Sequence, residues 1–234
     1  MTFGEDRNCM SFWLPPLVKA GLPVPETRLT RTEVPLMELL DGELPAGWEK
    51  LIDVLRRDGD ALGWPCFMRT GHGSGKHQWE QTCFVPSRDA VPLHVGRLVE
   101  WSSLAGIMGL PTGVWAMRRM LPVTPLFTCA GYGNMPVVRE FRFFVRDGTV
   151  EHVQPYWPPG AVEEGRPDYW EWPELLAWAS DLSAPVAEEL SKLAVQAVVA
   201  VGGGFWSVDL LQDCDDGWWI TDMALGDDSF RWER

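Results

Sequence analysis

Between Phe205 and Asp222 the chain reads Phe-Trp-Ser-Val-Asp-Leu-Leu-Gln-Asp-Cys-Asp-Asp-Gly-Trp-Trp-Ile-Thr-Asp, two largely apolar runs divided by Asp216-Gly217. Side-chain character alternates at period two on either side, and Asp-Gly favours the positive φ angles of a tight turn. The segment is therefore predicted as a β-hairpin. Each strand carries one carboxylate, Asp209 or Asp222, among apolar neighbours. A bare carboxylate on such a strand is costly to bury unless a cation or a hydrogen-bond donor meets it. Two of them on neighbouring strands suit Mg2+, which binds through one or two carboxylates together with nucleotide phosphates. An acidic surface hairpin fits the same residues, and this segment alone leaves both readings open.

Charge and cysteine usage narrow the function classes. The net charge of −13 falls on residues 150–234, where Arg166, Lys192, Arg231 and Arg234 oppose seventeen Asp and Glu; residues 1–149 carry sixteen of each sign. A chain this acidic, without a basic block, is a poor nucleic-acid binder, because phosphate neutralisation dominates that affinity. Cys9, Cys66, Cys83, Cys129 and Cys214 are scattered without a C-x-x-C pair, so free thiols in a reducing cytoplasm are expected. Glu5, Asp6 and Arg7 break any signal-peptide pattern, and the longest apolar run, from Leu193 to Trp206, contains Gln196 and three glycines. A cytoplasmic protein with neither nucleic-acid nor membrane partners is the expectation.

The periodicities describe an α+β chain. A helix is predicted around Trp48, Leu51, Ile52 and Leu55, stopping near Asp58-Gly59. A strand from Trp64 to Thr70, a glycine-rich loop (Gly71-His-Gly-Ser-Gly75-Lys76-His77) and a second strand from Trp79 to Val85 follow. Residues 90–108 read as a helix and Val114–Leu121 as a strand ended by Pro122. Val137–Val145 and Thr149–Gln154 form a second hairpin about Asp147-Gly148, and Ser183 opens a helix that ends at Gly202-Gly-Gly204. Most of the fourteen Trp are expected in packing, with Trp157, Trp170, Trp172 and Trp178 in a Pro-rich stretch that could line a pocket.

Several side chains suit anion chemistry. Lys76 follows glycines that let backbone N–H groups approach phosphate, although the spacing is not that of a Walker A loop and a flexible hairpin tip is equally consistent. In the strand Arg139-Glu140-Phe141-Arg142, alternation sends Glu140 and Arg142 to one face and Arg139 to the other. Arg142 is then either half of a structural ion pair or a fork for phosphate, and Arg118 and Arg119 invite the same two readings. The four histidines have no zinc or nucleophile spacing.

Taken in order, Phe67-Met-Arg69-Thr with Lys76-His-x-Trp79, Met117-Arg118-Arg119-Met120-Leu-Pro122, Arg139-Glu-Phe-Arg142-Phe-Phe-Val-Arg-Asp-Gly148, Ser207-Val-Asp209 and Trp219-Ile-Thr-Asp222 resemble the ATP-grasp superfamily. The similarity is to its two-arginine-one-lysine clade and to the related cell-division-cycle chaperones of translation-initiation-factor assembly. The resemblance implies an α+β ATP-grasp fold with a nucleotide cleft between two lobes built on antiparallel sheets. It divides the chain into an N-terminal region (1–62), a small lobe with the glycine loop and hinge (63–124) and a C-terminal lobe with the metal carboxylates (125–234).

By the same resemblance ATP and Mg2+ are the cofactors, and Arg142 and Lys76 the catalytic residues. Arg69, Lys76, Arg118, Arg119, Arg139 and Arg142 would meet the nucleotide, and the backbone of Met117, Met120 and Leu121 in the hinge would meet adenine. Asp209, Asp222 and Asp227 would hold the metal; Ala224 stands where the family offers an Asn ligand, and Asp227 or Asp228 would substitute. The implied activity is an ADP-forming carboxylate–amine ligase working through an acyl-phosphate on an unidentified small substrate or acceptor protein. The alternative is a nucleotide-dependent assembly factor with little turnover. Without a cation the two opposed carboxylates should repel, so removing either is expected to leave the empty protein unchanged or more stable.

Overall fold

The computed structural model describes residues 6–232. In chain order its regular elements are α1 (Met10–Lys19), β1 (Thr27–Arg31), α2 (Trp48–Leu62), β2 (Cys66–Thr70), β3 (Phe84–Val85), α3 (Val91–Leu104), β4 (Val114–Arg119), β5 (Phe127–Cys129) and β6 (Met135–Val137). There follow β7 (Glu140–Arg146), β8 (Thr149–Pro155), α4 (Pro159–Glu164), α5 (Trp172–Ala179), α6 (Ala184–Ala200), β9 (Phe205–Gln212) and β10 (Trp218–Leu225). They form two compact units. One holds Pro25–Met120 and Tyr132–Met135; the other holds residues 6–24, 121–131 and 136–232. This division differs from the three regions expected from sequence: residues 25–62 pack with the first sheet, and residues 6–24 belong with the second.

The first unit is an antiparallel sheet of order β1-β4-β2-β3 with α2 and α3 on one face. Trp48, Leu51, Ile52, Leu55 and Leu62 recur at helical spacing and bury one stripe of α2. That stripe meets Val91, Val95, Leu98 and Val99 of α3 and the strand residues Cys66, Met68, Trp115 and Met117. Because strand side chains alternate, Phe67, Arg69, Ala116 and Arg118 turn to the opposite face.

Two local expectations are corrected here. α2 runs on to Leu62 instead of stopping at Gly59. A Cβ at Gly59 would lie 2.2 Å from the Trp64 ring, so this glycine admits an indole, while Gly63, at φ +86, is the C-cap. The strand expected from Trp79 shrinks to Phe84–Val85. Thr82 draws the preceding segment into turns, its hydroxyl donating to the carbonyls of Gly75 (2.8 Å) and Gln78 (2.9 Å).

The second unit is built on a sheet of order β10-β9-β7-β8, also antiparallel. Phe141, Phe143, Val145, Val208 and Leu210 form its fully buried face, and α6 packs on this sheet with Leu190, Ala194, Ala197 and Val198 buried. The hairpin loop differs from a two-residue Asp-Gly turn. Asp213 organises it, accepting the N–H groups of Asp215 (2.9 Å) and Gly217 (2.7 Å) and the indole N–H of Trp219 (2.7 Å). Of the four Trp considered for a pocket, only Trp157 is buried, donating to the Val138 carbonyl; Trp172 is half-buried and Trp170 and Trp178 are exposed. No helix among the described residues is long and apolar enough to cross a membrane.

Two measurements test this packing. Gly59→Ala normally gains about 1 kcal/mol inside a helix; against the Trp64 ring it should instead lose about 1–3 kcal/mol in urea unfolding, and Trp64→Leu should relieve the loss. All five cysteines are free thiols; Cys9, Cys66, Cys83 and Cys129 are buried and Cys214 is exposed. Burial pushes the thiols of Cys66 and Cys129 up to about 11 and that of Cys83 to about 12. Titration of the folded protein with a thiol reagent at neutral pH should show one fast group, Cys214, and the others only on unfolding.

Candidate functional site

On the face of the second sheet opposite α6, one row of side chains crosses all four strands. Asp222 of β10 stands opposite Asp209 of β9, Asp209 opposite Arg142 of β7, and Arg142 opposite Gln154 of β8. Directly opposed residues in an antiparallel ladder share a face, so the four polar groups lie side by side. Arg142 reaches Asp209 with both arms of its fork: Nε donates to Oδ1 at 2.7 Å and Nη2 to Oδ2 at 2.8 Å. The Arg142 side chain is 16% exposed and that of Asp209 4%. Burial works against the guanidinium charge, but the neighbouring Asp209 carboxylate, with Tyr156 and Glu140 beyond it, outweighs burial and raises its pKa. Tyr156 also presents its ring 4.9 Å from the guanidinium carbon.

Two β-bulges set this row. Pairing in the second hairpin starts as Trp218 with Gln212 and continues to Ile220 with Leu210, then shifts by one residue, so that Asp222 rather than Thr221 faces Asp209. The bulged Thr221 turns its hydroxyl toward Glu140 Oε1 and the Asp209 carbonyl, at 3.4 Å each. Another shift between Phe144 and Val145 brings Gln154, not Val153, opposite Arg142. Each bulge exchanges which face a side chain occupies. Gln154 and Tyr156, from the segment 154–172 that the sequence offered for a substrate pocket, thus stand beside Arg142, while Thr221 had not been singled out. The only sequence signal for Thr221 was its proximity to Asp222, because a bulge leaves no period-two trace.

The remaining expected residues divide. Arg139 lies on the opposite side of its strand, donating to the carbonyls of Ala179 and Asp181 and to Gln212, with its guanidinium near the Trp178 and Trp218 rings. It fastens α5 to the sheet and does not join the row. Asp227 is exposed on the turn Gly226–Asp228, which Asn8 pins by accepting from the Leu225 N–H (2.7 Å) and donating to Asp228 (2.6 Å). Among the described residues no three of His, Cys, Asp and Glu gather closely enough to hold a metal, so Asp227 does not complete a trio with Asp209 and Asp222. Ala224 stands opposite Ser207, and its methyl group offers no ligand.

In the first unit, Arg69 and Arg118 are each 5% exposed on the sheet face away from the helices. Arg69 Nε donates to the Thr70 carbonyl, and Arg118 Nε to Thr27 with the guanidinium near the Phe67 ring. Met117 points into the core; its backbone, like those of Arg118 and Arg119, sits in the ladder between β1 and β2. Arg119 is exposed and paired with Glu26 at 2.6 Å, leaving only Met120 and Leu121 of the expected hinge beyond the strand.

The glycine loop also departs from an open anion cradle. Thr70 Oγ1 accepts the Gly73 N–H at 3.1 Å, the Gly71 N–H goes to the Val114 carbonyl, and a Cβ at Gly73 would meet the Trp101 ring at 2.6 Å. These glycines admit Trp101. Lys76 follows at the start of a short 3-10 turn after Gly75, at φ +62, and His77 stacks on Tyr132 at 4.4 Å. Burial, and then the charge of Lys76, lowers the His77 pKa.

The bidentate pair reverses the expectation that the carboxylates merely repel. Asp209→Ala strands a largely buried guanidinium and should cost about 3 kcal/mol or more in metal-free unfolding. Asp222→Ala, at a half-buried position, should cost less than half of that; equal losses would refute a special role for the Arg142–Asp209 pair.

No protein-family model and no curated protein matches this sequence. Solved structures do match. Cdc123 from Schizosaccharomyces pombe superposes with a TM-score of 0.58 at 13% identity, over 96% of this chain and 87% of that one. A RimK domain ATP-grasp protein from Sphaerobacter thermophilus gives 0.53 at 13% identity, over 95% of this chain and 61% of that one. A D-alanine–D-alanine ligase from Bacillus anthracis, complexed with ATP, gives 0.54 at 11% identity, over 94% and 55%. The chain thus spans little more than half the length of these two proteins. Its two antiparallel sheets with helices and its likeness to these structures give one conclusion: this chain has the ATP-grasp fold.

Proposed function

We propose that this chain binds ATP with Mg2+ and acts as an ADP-forming ligase joining a carboxylate to an amine. The observation that carries the reading is the polar row Gln154–Arg142–Asp209–Asp222, which sets a forked cation beside two opposed carboxylates on one sheet face. An all-oxygen donor set of two carboxylates suits Mg2+, which takes its remaining ligands from water and phosphate. Both Asp209 oxygens accept from Arg142, yet a carboxylate has lone pairs for further partners, so the pair fits the ion. Bound there, Mg2+ would supply neutralisation of phosphate charge.

The chain's own groups account for the rest of the reading. On this reading Arg69, Arg118 and Lys76 would be cationic contacts for phosphate, and the backbone of Met120 and Leu121 would meet the base. In the ligase, a substrate carboxylate oxygen bonds to the γ-phosphorus as ADP departs. The amine then attacks the acyl carbon, phosphate leaves with the bonding pair, and the amine gives up a proton. Arg142 is positioned to steady charge on the transferred group, and such positioning with electrostatics requires no protein nucleophile. This agrees with the lack of nucleophile motifs in the sequence.

One observation favours a second reading, a nucleotide-dependent assembly factor with little turnover: Ala224 supplies no ligand beside Asp222. Calorimetric titration with ATP, with and without Mg2+, followed by assay of ADP release across amino acids and small acids, separates the two. ADP release that requires both a carboxylate and an amine supports the ligase, and tight binding without release supports the assembly factor. Lys76→Ala and Arg69→Ala should each weaken ATP about ten- to a hundredfold, the loss of one charge-assisted contact. Asp222→Asn should abolish the Mg2+-dependent part of the affinity. Unchanged affinity in all three variants would refute the assignment.

A further inference from the structure

The face that carries the polar row is not open along its whole length. After the turn Gly226–Asp228 the chain doubles back over β7 and β8. The Phe230 carbonyl accepts from Arg142 Nη1 at 3.3 Å and from Gln154 Nε2 at 3.2 Å. Two residues on, the Trp232 N–H donates to Gln154 Oε1 at 3.2 Å, and the Trp232 indole N–H donates to the Pro155 carbonyl at 3.2 Å. The start of the segment is held by the Ser207–Ser229 hydroxyl pair at 2.5 Å, and Arg231 places its guanidinium 5.8 Å from the Phe144 ring. Gln154 is only 3% exposed, with both ends of its amide committed to this segment.

We propose that residues 229–232 are an intramolecular strap, whose Phe230 carbonyl occupies the outward arm of Arg142 and must leave before an anion can take its place. The inference rests on the assignment of Arg142 to phosphate made above. Asp209 fixes the Nε and Nη2 arms of the guanidinium, so Nη1 is the arm that faces the segment. A neutral carbonyl is a weaker partner for that arm than a phosphate oxygen, because a charge-assisted bond with both partners ionised is the stronger. The strap contacts are therefore of a strength that an anion can displace, at a cost to its apparent affinity. Unlike Asp209, whose removal strands a cation, the strap can leave Arg142 to solvent or ligand without breaking the buried pair.

The test compares the full chain with one ending at Ser229, which keeps the turn and the Ser207 contact, and with the full-length Trp232→Ala variant. Each is checked for folding by near-ultraviolet circular dichroism, and Mg-ATP binding is measured by calorimetry. Loss of the competing contacts should tighten Mg-ATP about five- to fiftyfold in the shortened chain, and about two- to tenfold in Trp232→Ala. In the full chain, hydrogen exchange at the Trp232 amide should speed up when Mg-ATP is added. Equal affinity in all three proteins, with Trp232 exchange unaltered by nucleotide, overturns the strap and leaves the nucleotide reading standing. Failure of all three to bind Mg-ATP overturns the nucleotide reading and the strap together. Should the shortened chain not fold, Trp232→Ala and the exchange measurement decide alone.

Discussion

The bidentate bond between Arg142 and Asp209 is the contact on which the polar face of the second sheet is built. Neither charge could stand on a central strand alone, since removing either would leave an ion largely out of water. Held together they form two parallel charge-assisted bonds, which fix the guanidinium plane. That plane decides which arm of Arg142 remains to face outward, and so where the Phe230 carbonyl rests. Gln154, Tyr156 and Thr221 are arranged around this pair, and the buried apolar face beneath it supplies the rigidity.

The two sheets carry their cations differently. In the second, Arg142 is matched by a carboxylate within the row. In the first, Arg69 and Arg118 are turned away from the helices by strand alternation, and their Nε groups bond to a main-chain carbonyl and a threonine hydroxyl.

Much of the fold was legible beforehand because it follows from local patterning. The helical stripe of Trp48, Leu51, Ile52 and Leu55, the helix opened by Ser183, and both hairpins of the second sheet were readable from periodicity and turn residues. What failed locally did so for tertiary reasons. Gly59 looks like a helix stop because the sequence does not reveal that Trp64 folds onto it. The glycines at 73 and 75 look like a phosphate cradle because Trp101, some thirty residues on, is what they accommodate. Arg139, which only the resemblance brought to the nucleotide, stays off the polar face, as alternation along the strand required.

The sequence by itself determined that Asp209 and Asp222 would lie on adjacent antiparallel strands, and that Glu140 and Arg142 would share a face, since alternation and turn chemistry require no distant partner. Only the tertiary structure decided the register. Without the bulge at Thr221, Asp209 would face Thr221 and Asp222 would point to the buried side; without the shift after Phe144, Val153 would stand beside Arg142. A bulge adds one residue to one strand and is selected by the packing of the whole sheet, where apolar side chains must keep to the core and charged ones must find partners. That requirement joins residues from four strands into one row, and it is invisible to any window of the chain that contains only one of them.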